Sequence, residues 1–161
     1  MRLLSTRAGA AGILAAAAVL AAGCGGDEDN GAFEQEVVSA RDTADSSFAY
    51  IKRPESTEDL VRRLRTSGDR LQRVSGSVAE AETPDDLSDE QERLAQALRE
   101  MSKEMDAAAN SIEFVQNGDA TGAGAPVETL IFDTWDVVQA VLTDLRDQGI
   151  DVQPLRPGGG P

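Results

Sequence analysis

Residues 88–117 read SDEQERLAQALREMSKEMDAAANSIEFVQN, and Leu94, Leu98, Met101, Met105, Ala108, Ile112 and Val115 recur in them at alternating steps of four and three. Such steps return an apolar side chain to one face of a helix with 3.6 residues per turn. The stretch therefore predicts a long amphipathic helix with one buried seam. Ser88-Asp89-Glu90-Gln91 opens it as a capping box, in which the serine and the side chain three residues on satisfy each other's backbone donors. Asn117-Gly118 closes it, with glycine where a left-handed cap is wanted.

The same seam recurs on either side. Upstream, Leu60, Leu64, Ser67, Leu71, Val74, Val78 and Ala81 repeat the four-three spacing, with Ser56 as cap and Asp59 as its box partner. Glu58–Arg62, Asp59–Arg63 and Asp69–Arg73 set an acid four residues before a base, each pair contributing about 0.2–0.5 kcal/mol. Gly68 and Gly76 interrupt this helix at a cost of ~1 kcal/mol each relative to Ala, which points to a close neighbour or to a bend. Further upstream, Phe33, Val37, Ala40, Ala44, Phe48 and Ile51 predict a helix over 32–52, stopped by Arg53-Pro54 because the residue before proline is pushed out of helical geometry. Thr83-Pro84-Asp85-Asp86 makes the turn into the third helix.

Downstream, residues 119–125 form a loop of small residues, and Pro126 can open a fourth helix ending at the Gly149 cap. That helix carries Val127, Leu130, Ile131, Phe132, Trp135, Val137, Val138, Val141, Leu142 and Leu145, an apolar band wider than one seam requires. It reads either as a deeply buried helix or as one with a face for a partner or a second copy. On the second reading Phe132 and Trp135 are the candidate partner-binding residues, one of them partly exposed. The tail, 150–161, is rich in Pro and Gly and is expected to be disordered. The fold class is thus all-α, an antiparallel up-down four-helix bundle over 32–149 with crossing angles near 20°. A three-helix arrangement with one helix detached or self-associated is the structural alternative.

The first 24 residues are of a different kind. Arg2 and Arg7 precede an uncharged stretch from Ala8 to Gly26, which ends in small residues before Cys24, the only cysteine of the chain. A positive start, a short apolar run and small residues at the cut are what secretory processing requires. This leader resembles the signal peptide of bacterial lipoproteins. It departs from their usual pattern by having Ala21 where leucine is customary, with Leu20 one step further back. The resemblance implies a signal peptide over 1–23, cleavage between Gly23 and Cys24, and a covalent diacylglycerol on the Cys24 sulfur. It also implies a lipid-anchored protein on the extracytoplasmic face of the cell membrane. Each buried methylene adds about 0.8 kcal/mol, so two acyl chains anchor stably where one anchors marginally. An uncleaved membrane helix is the competing reading, since the uncharged run approaches the ~20 residues needed to span a bilayer, but its Ala and Gly gain little from lipid.

Cleavage would leave residues 24–161, a length suited to one domain, with 24–31 as a flexible acidic tether. Asp27 and Asp29 in that tether lack the further ligands of a calcium loop, since Val38 stands where an EF-hand glutamate would be needed. The formal net charge is −14. Such acidity argues against nucleic acid as a partner, because phosphate backbones are held by clustered cations.

No histidine occurs in the chain. Its absence excludes His-dependent nucleophilic triads, His-ligated haem and the Glu-x-x-His pairs of di-iron bundles. No metal site and no cofactor are therefore expected, and no catalytic residue is assigned. Ser102 and Lys103 are sequence neighbours that a helix points apart. Asp85, Asp86, Asp89 and Glu90 complement a helix N-terminus, and Met101 and Met105 lie on the core seam. The basic run Lys52, Arg53, Arg62, Arg63, Arg65, Arg70 and Arg73 pairs with the acidic third helix and with its own helical neighbours, or else holds lipid headgroups or a polyanionic wall polymer.

Thr83-Pro84-Asp85-Asp86-Leu87, followed by Gln91, Leu94 and Leu98, is similar to a helix start in small uncharacterised helical envelope proteins of high-GC bacteria, a likeness that implies fold alone. The expected function is that of a non-enzymatic envelope lipoprotein whose bundle contacts a protein partner, a second copy or another envelope component. The alternative is a bundle that captures a small apolar ligand in a pocket lined by Phe48, Met101, Val138 and Leu142.

Overall fold

The computed structural model describes residues 31–117 and 132–156. Among them every regular element is helical: α1 (Gly31–Ile51), α2 (Thr57–Glu80), a single 3-10 turn (Asp85–Leu87), α3 (Ser88–Asn117) and α4 (Thr134–Asp147). The expected leader, the Asp27/Asp29 tether, the 119–125 loop and the Pro126 helix start lie outside the described residues.

Each helix buries the stripe its spacing predicts. Phe33, Val37, Ala40, Ala44, Phe48 and Ile51 of α1 are buried. So are Leu60, Leu64, Ser67, Leu71, Val74 and Val78 of α2. Leu94, Leu98, Met101, Met105 and Ile112 of α3 join the same core, as do Val138, Val141, Leu142 and Leu145 of α4. The α3 seam ends sooner than its periodicity predicts, because Val115 is exposed and, among the described residues, no neighbour covers the last turn of that stripe.

Small polar side chains set the distance between helices. Ser67 Oγ donates to the Ser47 carbonyl of α1 at 3.4 Å, and Ser102 Oγ of α3 donates to the Gly68 carbonyl of α2 at 2.9 Å. Ser75 Oγ donates to the Ala95 carbonyl at 2.7 Å. A Cβ on Gly68 would stand 3.1 Å from an Asp106 carboxylate oxygen and 3.3 Å from the Ser102 carbonyl, so α3 crosses α2 at that glycine. Gly76 has open space beside it. Of the two explanations open for these glycines, close approach holds at Gly68.

Helix ends agree with the sequence in part. Ser56 accepts from the Asp59 amide at 3.1 Å, as predicted for the α2 cap. The Asp59 carboxylate reaches one residue further back than a capping box would, accepting from the Glu55 amide at 2.9 Å. The box at Ser88 does not form. The 3-10 turn of Asp85–Leu87 runs straight into α3, so Ser88 is already helical and its hydroxyl donates to the Asp85 carbonyl. Gln91 instead reaches across to the Val78 and Ala81 carbonyls at the end of α2. The first turn of α4 is served by a neighbour, with Glu104 of α3 accepting from the Thr134 hydroxyl at 2.6 Å. Gly149, at φ +100°, ends α4 as predicted: its own amide donates to the Arg146 carbonyl and the Ile150 amide to that of Leu145, the two bonds of a Schellman cap.

The expected disordered tail is corrected over 150–156. Ile150, Val152 and Leu155 are all at most 5% exposed and belong to the core. Side chains from α1 and α4 hold the backbone between them. Arg41 donates to the Pro154 carbonyl at 3.0 Å, Asp45 accepts from the Arg156 amide at 3.0 Å, and Gln139 accepts from the Leu155 amide at 2.8 Å. The Pro and Gly content had suggested disorder, but apolar residues at 150, 152 and 155 each find a buried place.

Candidate functional site

Cys24 and Gly23, the predicted lipidation and cleavage residues, lie outside the described residues. No helix of the described residues is long and apolar enough to cross a membrane. The two predicted partner-binding residues are brought together around Phe48. Phe132 meets the Phe48 ring edge-on with centroids 5.2 Å apart, and Trp135 does so at 4.4 Å. Phe132 is 4% exposed, which corrects its expected role as an accessible anchor, since it is a core residue joining α1 to the start of α4. Trp135 is half-buried, packed against the core. Among the described residues, the large apolar side chains that do reach solvent are Phe114, 80% exposed, Val137 at 49% and Val115.

The basic run divides into two groups. Arg62 and Arg63 both engage Asp59, Arg63 at 2.7 Å, and Arg65 meets Glu113 of α3 at 2.6 Å. The Glu58–Arg62 pairing is thereby replaced by a contact with Asp59 one residue closer, while Asp59–Arg63 forms as predicted. Three contacts converge on Asp59 and hold its carboxyl below its ordinary value of 3.8. The largest cause is the hydrogen bond from the Glu55 amide, followed by that from Arg63, with burial opposing them. The second group behaves differently. The predicted Asp69–Arg73 pair is absent, since Arg73 Nε donates to the Asp69 backbone carbonyl at 3.3 Å.

Arg70 and Arg73 instead line a groove of about 400 Å³, open to solvent, between α1 and α2. From α1 it takes Ser39, Thr43 and Ser46, residues one helical turn apart. From α2 it takes Arg70, Arg73 and Ser77 over a floor at the buried Val74. The Tyr50 ring of α1 lies 5.2 Å from the Arg70 guanidinium carbon and 4.9 Å from that of Arg63. A cation over an aromatic face is attracted by about 0.5–1 kcal/mol at exposed sites and keeps its N–H donors unspent. Among the described residues, Arg70 is therefore oriented by a ring and not consumed by a hydrogen bond. Both arginines are evident in the sequence, and the groove is not. The hydroxyls at 39, 43 and 46, on the polar side of the α1 stripe, were the available signal.

Other chemistry considered from sequence is placed apart. The Ser102 hydroxyl is buried on Gly68, whereas Lys103 is exposed and pairs with Glu100 at 2.8 Å. Asp85, Asp86 and Asp89 are exposed around the turn into α3. Met101 and Met105 are fully buried in the core. Among the described residues, no three His, Cys, Asp or Glu side chains gather as a metal site would need. No protein-family model matches this chain, and no curated protein and no solved structure matches it either.

Proposed function

We propose that this chain is a lipid-anchored cell-envelope protein whose helices form an up-down four-helix bundle acting as a non-enzymatic interaction module at the membrane surface. The observation that carries the reading is Cys24, the sole cysteine, directly after the small residues that end an uncharged run behind Arg2 and Arg7. A thiol at that place can take two acyl chains, enough to hold a strongly acidic domain at a surface that would otherwise repel it.

Pairs of contacts support the up-down arrangement. Ser47 meets Ser67 while Tyr50 meets Arg63, so numbers fall along α2 as they rise along α1. Ala95 meets Ser75 and Gly68 meets Ser102, and the same inversion relates α2 to α3. Arg93 meets Asp144 and Glu104 meets Thr134 for α3 and α4. The filled interior favours an interaction module over an apolar-ligand carrier. Phe48, Met101, Val138 and Leu142, the residues that would line a pocket, are each at most 1% exposed within one continuous core.

Fractionation of cells tests the anchor. Wild type should sediment with membranes, and Cys24→Ser should appear in the soluble fraction. Retention of Cys24→Ser in the membrane would refute lipid attachment and favour an uncleaved helix.

A further inference from the structure

We propose that the groove between α1 and α2 is a binding site for a phosphate-bearing anion, with Arg70 and Arg73 as its charged ligands and the hydroxyls of Thr43, Ser39 and Ser77 as its neutral ones. The site stands independently of the lipid anchor.

Carboxylates take up most of the arginine charge among the described residues. Among the described residues, Arg41, Arg65, Arg93 and Arg156 each meet a carboxylate within 4 Å, as expected in a chain with twenty-nine acidic residues. Among the described residues Arg70 and Arg73 meet none, as is also true of Lys52, Arg53 and Arg99, but of these five only Arg70 and Arg73 line the groove. Both nevertheless face the same cleft, one turn apart on α2. Arg73 has spent only its Nε, on the Asp69 carbonyl, and Arg70 is steadied by the Tyr50 ring. Two guanidinium groups with donors to spare are thus directed to one place.

The opposite wall of the groove is made of hydroxyl side chains. Ser39, Thr43 and Ser46 present hydroxyls where an amphipathic helix facing plain solvent would more usually carry Glu or Lys. Among them the Ser46 hydroxyl is already committed to the Thr43 carbonyl, which leaves Ser39 and Thr43 available. Planar guanidinium forks match the oxygen geometry of phosphate, and hydroxyls complete its shell without adding repulsion. Remote carboxylates do not defeat this, since at physiological ionic strength charges beyond ~8 Å are largely screened. Beyond that distance the acidic chain therefore exerts little repulsion on an anion, and the groove's guanidinium groups act at contact.

A free phosphate and the phosphodiester of a lipid headgroup share this chemistry, and calorimetry on the full-length protein in a neutral detergent separates them. One arm titrates inorganic phosphate. The other titrates glycerophosphoglycerol, a deacylated lipid headgroup, with sodium chloride at matched ionic strength as the control. At least one of the two should bind saturably, and whichever binds more tightly identifies the source. Arg70→Gln combined with Arg73→Gln should weaken that binding at least about tenfold, as loss of charge-assisted hydrogen bonds requires. Ser39→Asp, at an exposed wall position, should weaken it likewise, and Arg62→Gln, outside the groove, should leave it unchanged. Circular dichroism of each variant should match wild type. Heats no different from chloride in both arms, or equal affinity in the folded double variant, would overturn the proposal.

Discussion

Gly68 and Gly76 lie eight residues apart on α2, yet alanine should act on them in opposite directions. At Gly76 nothing stands within 4 Å of a new Cβ, so Gly76→Ala should gain about 0.5–1 kcal/mol from helix propensity alone. At Gly68 the methyl group would press on the Ser102 carbonyl of α3 and displace the Asp106 side chain. Gly68→Ala should therefore lower stability despite the same propensity gain. Urea unfolding of the two variants beside wild type gives both signs in one experiment. Asp59 supplies a second prediction at this scale. Its folded carboxyl titrates below its ordinary 3.8, so its contribution is complete above that value and is lost as pH falls through the lower, folded one. Urea midpoints from pH 6 to 2 should fall less steeply at the acid end for Asp59→Asn than for wild type. Equal slopes would show that the Glu55 and Arg63 contacts add nothing.

At the scale of elements, the segment after α4 is the part that composition misread. Pro154, Pro157 and the glycines beyond suggested disorder, and the short apolar run Ile150, Val152, Leu155 is too brief to show a period. Its order depends on partners far away in sequence, Arg41 and Asp45 on α1 and Gln139 on α4, which no local pattern reveals. Ile150→Ala should consequently cost about 2–4 kcal/mol, as for a fully buried aliphatic residue, where a disordered tail would show no change in the melting curve. The helices themselves were legible because each needs only its own periodicity to declare which face is buried. The Ser88 cap was not, because whether a serine caps depends on the backbone before it, and here a 3-10 turn already supplies the helical path. Phe132 shows the same limit. Its place in the chain fits the edge of the α4 stripe, and only the arrival of Phe48 from α1 makes it a core residue.

For the whole molecule, one core binds α1 to α4 and the following segment, and Leu98 sits fully buried within it. Leu98→Asp should abolish the cooperative transition, since an unpaired buried charge costs several kcal/mol against a total stability of about 5–15 kcal/mol. The candidate groove was only half legible, because it is a relation between two helices. Arg70 and Arg73 could be named from the sequence, but that neither would find a carboxylate, and that serines of α1 would face them, follows from how α1 lies along α2. The proposed lipid attachment depends on three steps outside the fold: export, loss of the leader and acylation at one thiol. Mass spectrometry of the protein purified from its own membranes tests it most directly. The account predicts a mature N-terminus at Cys24 carrying a diacylglyceryl group, and an intact Met1 leader with an unmodified Cys24 would contradict it.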